Sequence, residues 1–355
     1  MASFQRFIQV GMALDPIHVG TGGARIGRVD LTIVRDPATR LPKIPGSSLA
    51  GVYRTYVAMH CEEQRIQSQA QQTQQARQTS RQKPYYPDCA GLGQPRPDGT
   101  GGHCGQPDCP VCTAFGFARG KDQAGGFAGL AAFSDAQILL FPVPTRQGPY
   151  WVTCPMALER IDLMVCDVVE AAVYLENAQR KKLNLGWLFL DVRQYSQFNN
   201  VRRTLQGLKV PDHILNRVAL VPDHLFVYVV NSNLEVRTSV SIDPETGAAE
   251  ERALFSYEAL PRTTVLVWEV IAKDPKLFKV GGKNVSVTLD NEKMDGPEKV
   301  HEVAKQAHPY LEHLGIGGMG TRGMGRLRVL FSGRGDQQDK KARCSDETQA
   351  SDVEQ

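Results

Sequence analysis

Apolar and polar positions along the chain divide it into short, irregularly spaced elements. Phe7, Ile8, Val10, Met12 and Leu14 alternate loosely with polar residues and predict a strand over residues 4–14. A glycine-rich turn follows, His18-Val-Gly-Thr-Gly-Gly-Ala-Arg-Ile-Gly27, and Val29 to Val34 reads as a second extended segment. Pro42 and Pro45 mark a loop. Ser47 or Ser48 then stands where a helix cap belongs, with Leu49, Val52, Tyr53, Tyr56 and Val57 at helical spacing in a helix running to about Met59. Residues 62–83 are rich in glutamine and poor in large apolar side chains. That composition buries no core, so a flexible insertion is expected. Residues 84–110, rich in Pro, Gly and Cys, read as a loop in need of a staple.

Strand character returns from Ala131 to Val143, and Met156 to Ala172 has the pattern of an amphipathic helix. Leu183 to Val192 reads as a strand and Leu225 to Asp243 as further extended chain. Asp243-Pro-Glu-Thr-Gly247 is a turn sequence joining Glu235–Ile242 to Ala249–Phe255 in a hairpin. Arg262 to Ile271 is strongly β-prone. Pro297 to Leu314 predicts a helix stopped by Gly315, and Met324 to Phe331 a closing strand. The polar tail, 333–355, is expected to be disordered. Irregular alternation of strands and helices with long loops gives an α+β class, with a ferredoxin-like sheet carrying large insertions.

Composition changes this picture little. Of 355 residues 41% are hydrophobic and 22% charged, which suits a globular chain with a sizeable core: one large domain with insertions, or two small ones. No apolar run approaches the roughly 18 residues of a membrane-spanning helix. The N-terminus lacks a signal-peptide layout, so no membrane partner and a cytoplasmic location are expected. A net charge of +3 neither demands nor excludes nucleic acid. The basic residues do cluster, at Arg25 and Arg28, Arg180 to Lys182, Arg202 and Arg203, and Arg322, Arg326 and Arg328. Any one such cluster is most simply a solvated face.

The most informative stretch is Leu314-Gly-Ile-Gly-Gly-Met-Gly-Thr-Arg-Gly-Met-Gly-Arg326. Gly315, Gly317 and Gly320 satisfy a formal G-x-G-x-x-G. A dinucleotide site needs that pattern after a strand and before a helix, and here the order is reversed. Glycines still let backbone N–H groups approach a phosphate, and Arg322 and Arg326 add charge, which suits a polymer backbone better than a buried cofactor. A second stretch, Ile44-Pro-Gly-Ser-Ser-Leu-Ala-Gly-Val-Tyr-Arg54, opens a helix whose first N–H groups and hydroxyls are placed to meet an anion. Arg54, farther along, is placed to reach the same strand. By itself this is an ordinary helix cap.

Together these two loops resemble the RAMP superfamily of CRISPR proteins. Further stretches sharpen the likeness: Pro16-Ile-His-Val-Gly-Thr-Gly22 with Arg28-Val-Asp-Leu-Thr-Ile33, Ala132-Phe-Ser-Asp-Ala-Gln137, Leu183-Asn-Leu-Gly186, and Val221-Pro-Asp-His-Leu-Phe226 followed by Ile242-Asp-Pro-Glu-Thr-Gly247. They are similar to the backbone-subunit family of type III-B (Cmr) effector complexes, the fourth of the Cmr series, over roughly residues 5 to 331. The resemblance implies a modified RRM or ferredoxin-like palm in a single RAMP domain over 1–332. It leaves out the glutamine-rich part of the insertion that composition places over 62–112, and it implies a hairpin thumb within about 225–260. It implies copies stacked in a filament along a CRISPR guide RNA, with other type III effector subunits, and cleavage of guide-paired target RNA with Mg²⁺ or Mn²⁺. The family's cleavage aspartate matches Asp30 and its neighbouring histidine His18. The RNA-binding positions are Ser47, Ser48, Arg54, Gly317, Gly318, Thr321, Arg322 and Arg326. One departure stands out: where the family often has lysine in the helix start, this chain has Ala50. The competing expectation is a guide-binding scaffold that does not cut.

Eight cysteines are unevenly spread. Cys104, Cys109 and Cys112 form C-x4-C-x2-C with Cys89 upstream, a spacing that favours a structural Zn²⁺ over disulfides. Cys89 is the expected fourth ligand, with His103, His60 and Cys61 as alternatives. No glutamate of a deaminase or protease motif accompanies the cluster, which argues against a catalytic metal there.

Overall fold

The computed structural model describes residues 3–22, 29–71, 84–91, 102–118, 125–250, 254–289 and 292–335. Arg25, Arg28, the later part of the glutamine-rich stretch and nearly all of the tail lie outside them. In chain order, β1 (Phe4–Ala13) is followed by β2 (Lys43–Ile44) and the long helix α1 (Gly46–Gln71). A short helix, α2 (Pro110–Phe115), closes the cysteine-rich loop. Next come β3 (Ala131–Phe133), β4 (Ala136–Val143), β5 (Tyr150–Thr153) and the short α3 (Pro155–Glu159). Strands β6 (Val173–Leu175), β7 (Lys182–Leu185) and β8 (Leu188–Gln194) precede helices α4 (Phe198–Gly207) and α5 (Asp212–Leu215). β9 (Val218–Leu220) leads into α6 (Asp223–Ser232). A hairpin of β10 (Glu235–Ser239) and β11 (Phe255–Ala259) is followed by β12 (Val265–Lys273). Two small hairpins, β13 (Lys279–Val280) with β14 (Lys283–Asn284) and β15 (Thr288–Leu289) with β16 (Glu292–Lys293), precede α7 (Pro297–Lys305), α8 (His308–His313) and the last strand β17 (Leu327–Arg334).

One mixed sheet of 11 strands organises the chain, with the path β17-β1-β12-β4-β5-β9-β6-β8-β7. Its heart is the antiparallel quartet β17-β1-β12-β4, with Val10 opposite Val267 and Phe7 opposite Val270. In the quartet, α1 lies in sequence between β1 and β4, and the α7–α8 pair between β12 and β17. Period-two alternation along β1 feeds two cores. Phe7 and Ala13 join Leu49, Tyr53 and Val57 of α1 and Val300, Val303 and Ala304 of α7. Ile8, Val10 and Met12 join Phe198, Val201 and Leu205 of α4 and Ile214 of α5. Both faces of β1 are thus covered, which is why its sequence alternates only loosely. Trp268 of β12 is buried, and burying a side chain of such size is worth about 2–3 kcal/mol.

Several expectations need correction. α1 does not end near Met59 but continues to Gln71, because glutamine propagates a helix well even where it buries little. Residues 62–71 of the expected flexible insertion are therefore helical. The predicted helix over 156–172 is confined to Pro155–Glu159: Asp162 and Asp167 sit at φ +61° and +63°, and Ile161 and Val168 reach the second core from irregular chain. The stretch predicted as extended from Leu225 is helix α6, burying Leu225, Phe226, Val229 and Val230, and extended chain resumes only at β10. Leu183–Val192 is not one strand but a hairpin turning at Gly186 and Trp187. The helix predicted over 297–314 breaks into α7 and α8 before Gly315, at φ +79°, ends it. Among the described residues no helix is long and apolar enough to cross a membrane.

Candidate active site and cysteine cluster

Asp30 lies beside strand β11 of the β10–β11 hairpin, next to the Thr238–Ser256 pair. Leu31 bridges to Tyr257 in parallel register, which brings Asp30 alongside Ser256. The Ser256 N–H donates to Asp30 Oδ2 at 2.7 Å and its hydroxyl donates to the same oxygen at 2.9 Å. These two donors, the backbone one foremost, hold the Asp30 carboxyl below its ordinary pKa. Asp30 is nevertheless exposed. An exposed carboxylate fixed through one oxygen keeps the other oxygen's lone pairs for a ligand.

His18 lies under this corner. Its Nδ1 is 2.6 Å from the carbonyl oxygen of Glu258, an acceptor, so Nδ1 carries the proton and donates. The imidazole is buried, its edge meets the Tyr257 ring at 6.0 Å, and its own carbonyl accepts the Gly318 N–H at 2.9 Å. Asp30 and His18 thus rest on positions 256 and 258 of one strand, about 7 Å apart along it.

The glycine-rich loop folds onto His18. Its neck is closed by Ile316 N–H to Gly325 O at 2.8 Å and Gly325 N–H to Pro16 O at 2.9 Å. A Cβ on Gly317 (φ +90°) would fall 2.4 Å from the His18 carbonyl oxygen, and one on Gly325 (φ +96°) 2.5 Å from Ile316 O. Packing alone already requires glycine at both positions. Above it Gly317, Gly318, Thr321 and Arg322 are exposed. Met319 and Met324 pack with Leu31, Phe255 and Tyr257 in a small core that joins this crown to the hairpin.

The arginines divide. Arg322 lies over the Phe255 ring, 5.7 Å from its centroid, and makes no ion pair among the described residues. Arg326, expected to bind a phosphate, instead forks onto Asp15 (2.5 and 3.1 Å) and lowers the Asp15 pKa. It fastens the loop. Arg328 likewise pairs with Glu312 at 2.7 Å. The start of α1 is also partly committed, since the Gly46 N–H donates to Asp135 Oδ1 at 2.8 Å. Burial opposes ionisation of Asp135, but Lys43 (2.6 Å) and this N–H prevail and its pKa is lowered. Ser47 is exposed and Ser48 half-buried at that turn.

Arg54 departs most from expectation. Its guanidinium donates to Cys89 O at 2.6 Å and Gly116 O at 2.9 Å, and its remaining nitrogen is buried. Burial lowers its pKa while the neighbouring thiols favour its charge. This cation is turned into the cysteine loop, not held out for RNA.

Cys89, Cys104, Cys109 and Cys112 converge with all four Sγ atoms within 4.8 Å of one another. Cys104 and Cys112 are 3.6 Å apart and Cys89 and Cys109 4.0 Å. A tetrahedral Zn²⁺ with Zn–S near 2.3 Å requires sulfur edges of about 3.8 Å. The cluster thus suits that ion with Cys89 as the fourth member. It does not include Cys61, His103 or His60, whose Nε2 meets Gln64 at 3.0 Å. The Cys112 N–H donates to Cys109 Sγ at 3.4 Å, as a thiolate at a helix start invites.

Sequence reasoning missed Ser256, Tyr257 and Glu258. The alternation Phe255, Tyr257, Ala259 against Ser256, Glu258 was the available signal, since it assigns one face of β11 to packing and the other to polar contacts.

Comparison with known proteins agrees with this architecture. The CRISPR system Cmr endoribonuclease Cmr4 of Pyrococcus furiosus is 25% identical over 284 residues, 74% of this chain and 80% of that protein. A chain from the cryo-EM structure of the type III-B Cmr-beta complex bound to cognate target RNA aligns with TM-score 0.58 at 15% identity, covering 93% of this chain and 99% of that one. The crystal structure of oligomeric Cmr4 from Pyrococcus furiosus aligns with TM-score 0.52 at 17% identity, covering 94% and 99%. At these identities the two structures establish a shared fold. The RAMP superfamily profile matches residues 12–328, nearly the whole chain, and the chain belongs to that superfamily.

Proposed function

We propose that this protein is a guide-RNA-binding backbone subunit of a type III CRISPR effector complex and that it cuts the target RNA paired to the guide. Family membership and the likeness to a curated Cmr endoribonuclease support the class. The observation that carries the cutting role is Asp30: a solvent-facing carboxylate held ionised by Ser256, beside an exposed glycine crown with Arg322. The strand order β17-β1-β12-β4, with helices in both crossovers, supports a ferredoxin-like palm in a single RAMP domain. The β10–β11 hairpin would be its thumb. In this reading Ser47, Ser48, Gly317, Gly318, Thr321 and Arg322 meet RNA phosphates, and further copies stack along the guide in the cytoplasm with other effector subunits. Arg326 serves by fixing the loop.

A nucleotide displaced from the guide–target duplex loses its A-form restraint, so its 2′-OH can swing in line with the adjacent phosphorus. A new O2′–P bond forms and the P–O5′ bond breaks, with the 2′-OH proton passing to solvent water and the leaving O5′ taking one from it, giving a 2′,3′-cyclic phosphate and a 5′-OH. Asp30, held below the usual carboxylate range, is a weak base, so its role is to orient the 2′-OH or hold a cation. Mg²⁺ or Mn²⁺ would neutralise charge at the scissile phosphate, and one exposed carboxylate with phosphate oxygens suits such a hydrated ion. His18 acts as a positioning residue beneath the loop. Zn²⁺ in the cysteine cluster would cross-link a loop too polar to fold alone, and Arg54 would offset part of the thiolates' excess negative charge.

The test uses the assembled complex with guide and end-labelled complementary RNA. Regularly spaced cuts with cyclic-phosphate ends are expected, and a single 2′-deoxy substitution should erase only the cut at its position. RNA left intact by an assembled complex would reduce the protein to a scaffold. Cutting indifferent to the 2′-deoxy substitution would overturn the mechanism.

A further inference from the structure

The β7–β8 hairpin closes the far end of the large sheet, and its outer face carries chemistry that the Asp30 corner does not use. Leu188, Leu190 and Val192 pack inward against the first core. The alternate positions face solvent. Phe189 is 64% exposed and Trp187, in the turn, is 92% exposed, whereas the other two tryptophans, Trp151 and Trp268, are buried. Cross-strand pairing of Lys182 with Asp191 and Asn184 with Phe189 sets these side chains on one face. Lys182 Nζ stands 5.4 Å from the Phe189 ring centre. Arg180 and Lys181 lead into β7, exposed and without an ion pair among the described residues. The acidic neighbours are Asp191, 3.3 Å from Lys182 Nζ, and Glu170, which pairs with Arg193. Asp167 lines the same hollow as Glu170 and Arg193, so four cations face three anions.

The turn is firmly built. Gly186 has φ +58°, and a Cβ there would fall 2.4 Å from Asn233 Oδ1. The Gly186 N–H donates to Pro144 O at 3.0 Å. Trp187 is therefore held out to solvent by ordered backbone next to Asn233, just before β10 begins.

We propose that this hairpin is a platform for unpaired RNA, on which Trp187 and Phe189 stack bases while Arg180, Lys181 and Lys182 meet phosphates. Every base has a π face, so such stacking tolerates any sequence. Trp187 in the turn and Phe189 on the adjoining strand present two exposed rings two positions apart, enough to meet bases of one short RNA segment. The excess of positive charge beside the rings favours a polyanion that carries aromatic bases. The proposal goes beyond the cleavage reading, because none of these residues touches Asp30 or the glycine crown.

Purified full-length chain is titrated with a short oligouridine RNA while tryptophan emission is followed. With Trp151 and Trp268 buried, quenching reports on Trp187. Saturable quenching is expected, with affinity falling at least about five-fold in Trp187→Ala, as the loss of one stacked base implies. Lys181→Ala should lessen the salt dependence. The Trp187→Ala complex should still cut fully paired target, so failure here is separable from failure of the cleavage reading. Unquenched emission with RNA bound, or unchanged RNA affinity in Trp187→Ala, would overturn the platform. A shift in self-association of Trp187→Ala in sedimentation, with RNA affinity unchanged, would do so too and would assign the face to contact between copies.

Discussion

The cysteine loop and the Asp30 corner both set polar groups beside apolar packing, and their polar groups are ordered in opposite directions. In the cysteine loop every strong group points inward. Three of the four cysteines are buried, and Arg54 spends its guanidinium on the carbonyls of Cys89 and Gly116. Such a closed set has no open position for a substrate, the mark of a structural metal site. At the Asp30 corner the fastening is done from behind, by Ser256, by Glu258 O on His18 and by the Arg326–Asp15 fork. The groups proposed to act on RNA, Asp30 and Arg322, are left to solvent. A polar group locked on all sides maintains a shape, and one locked on a single side presents chemistry.

The strongest way to break this contrast is to remove a thiol. Cys112→Ser should abolish metal retention and destabilise the chain by several kcal/mol, lowering Tm by roughly 10 °C. Metal analysis should find one zinc per wild-type chain and almost none in the variant; an unchanged Tm would remove the structural role. Exchanging arginines sharpens the contrast further. Arg54→Met should speed zinc release to a chelator and leave RNA affinity within about two-fold, whereas Arg322→Ala should weaken RNA binding about five-fold and leave zinc untouched, since a charged contact is worth about 1 kcal/mol. The reverse pattern would contradict the geometry. The smallest effect is expected at Ser256. Ser256→Ala removes the hydroxyl donor but keeps the N–H, so cleavage should slow only about two-fold. The Asp30 pKa is lowered in the folded wild type, so losing a donor moves it back up. The acid limb of the rate profile should therefore shift to higher pH in the variant, with Tm unchanged.

Much of this arrangement was legible in the sequence. The spacing of Cys104, Cys109 and Cys112 pointed to a metal-type cluster with Cys89 as the expected fourth member among alternatives, and the four sulfurs converge. The glycine loop between a helix and a strand was also readable, as was a hairpin turning at Asp243–Gly247. Leu225–Val230 was not, because a nearly unbroken run of apolar and β-branched residues looks the same whether it covers a strand or the buried side of α6. The direction of Arg54 was equally hidden. A cation on a helix can turn toward RNA or toward a thiolate loop, and only the approach of residues 89 and 116 decides it. Ser256 lies 226 positions from Asp30 in sequence, and the register that joins them exists only in the folded sheet.

The central claim is that Asp30 cuts RNA from a site whose framework does not need it. Its most direct test compares wild type with Asp30→Ala in complexes assembled on the same guide, measuring single-turnover cleavage and target affinity together. Cuts should vanish at every position while target affinity, assembly and Tm stay at wild-type values. Undiminished cutting by Asp30→Ala, in complexes that bind target equally well, would contradict it.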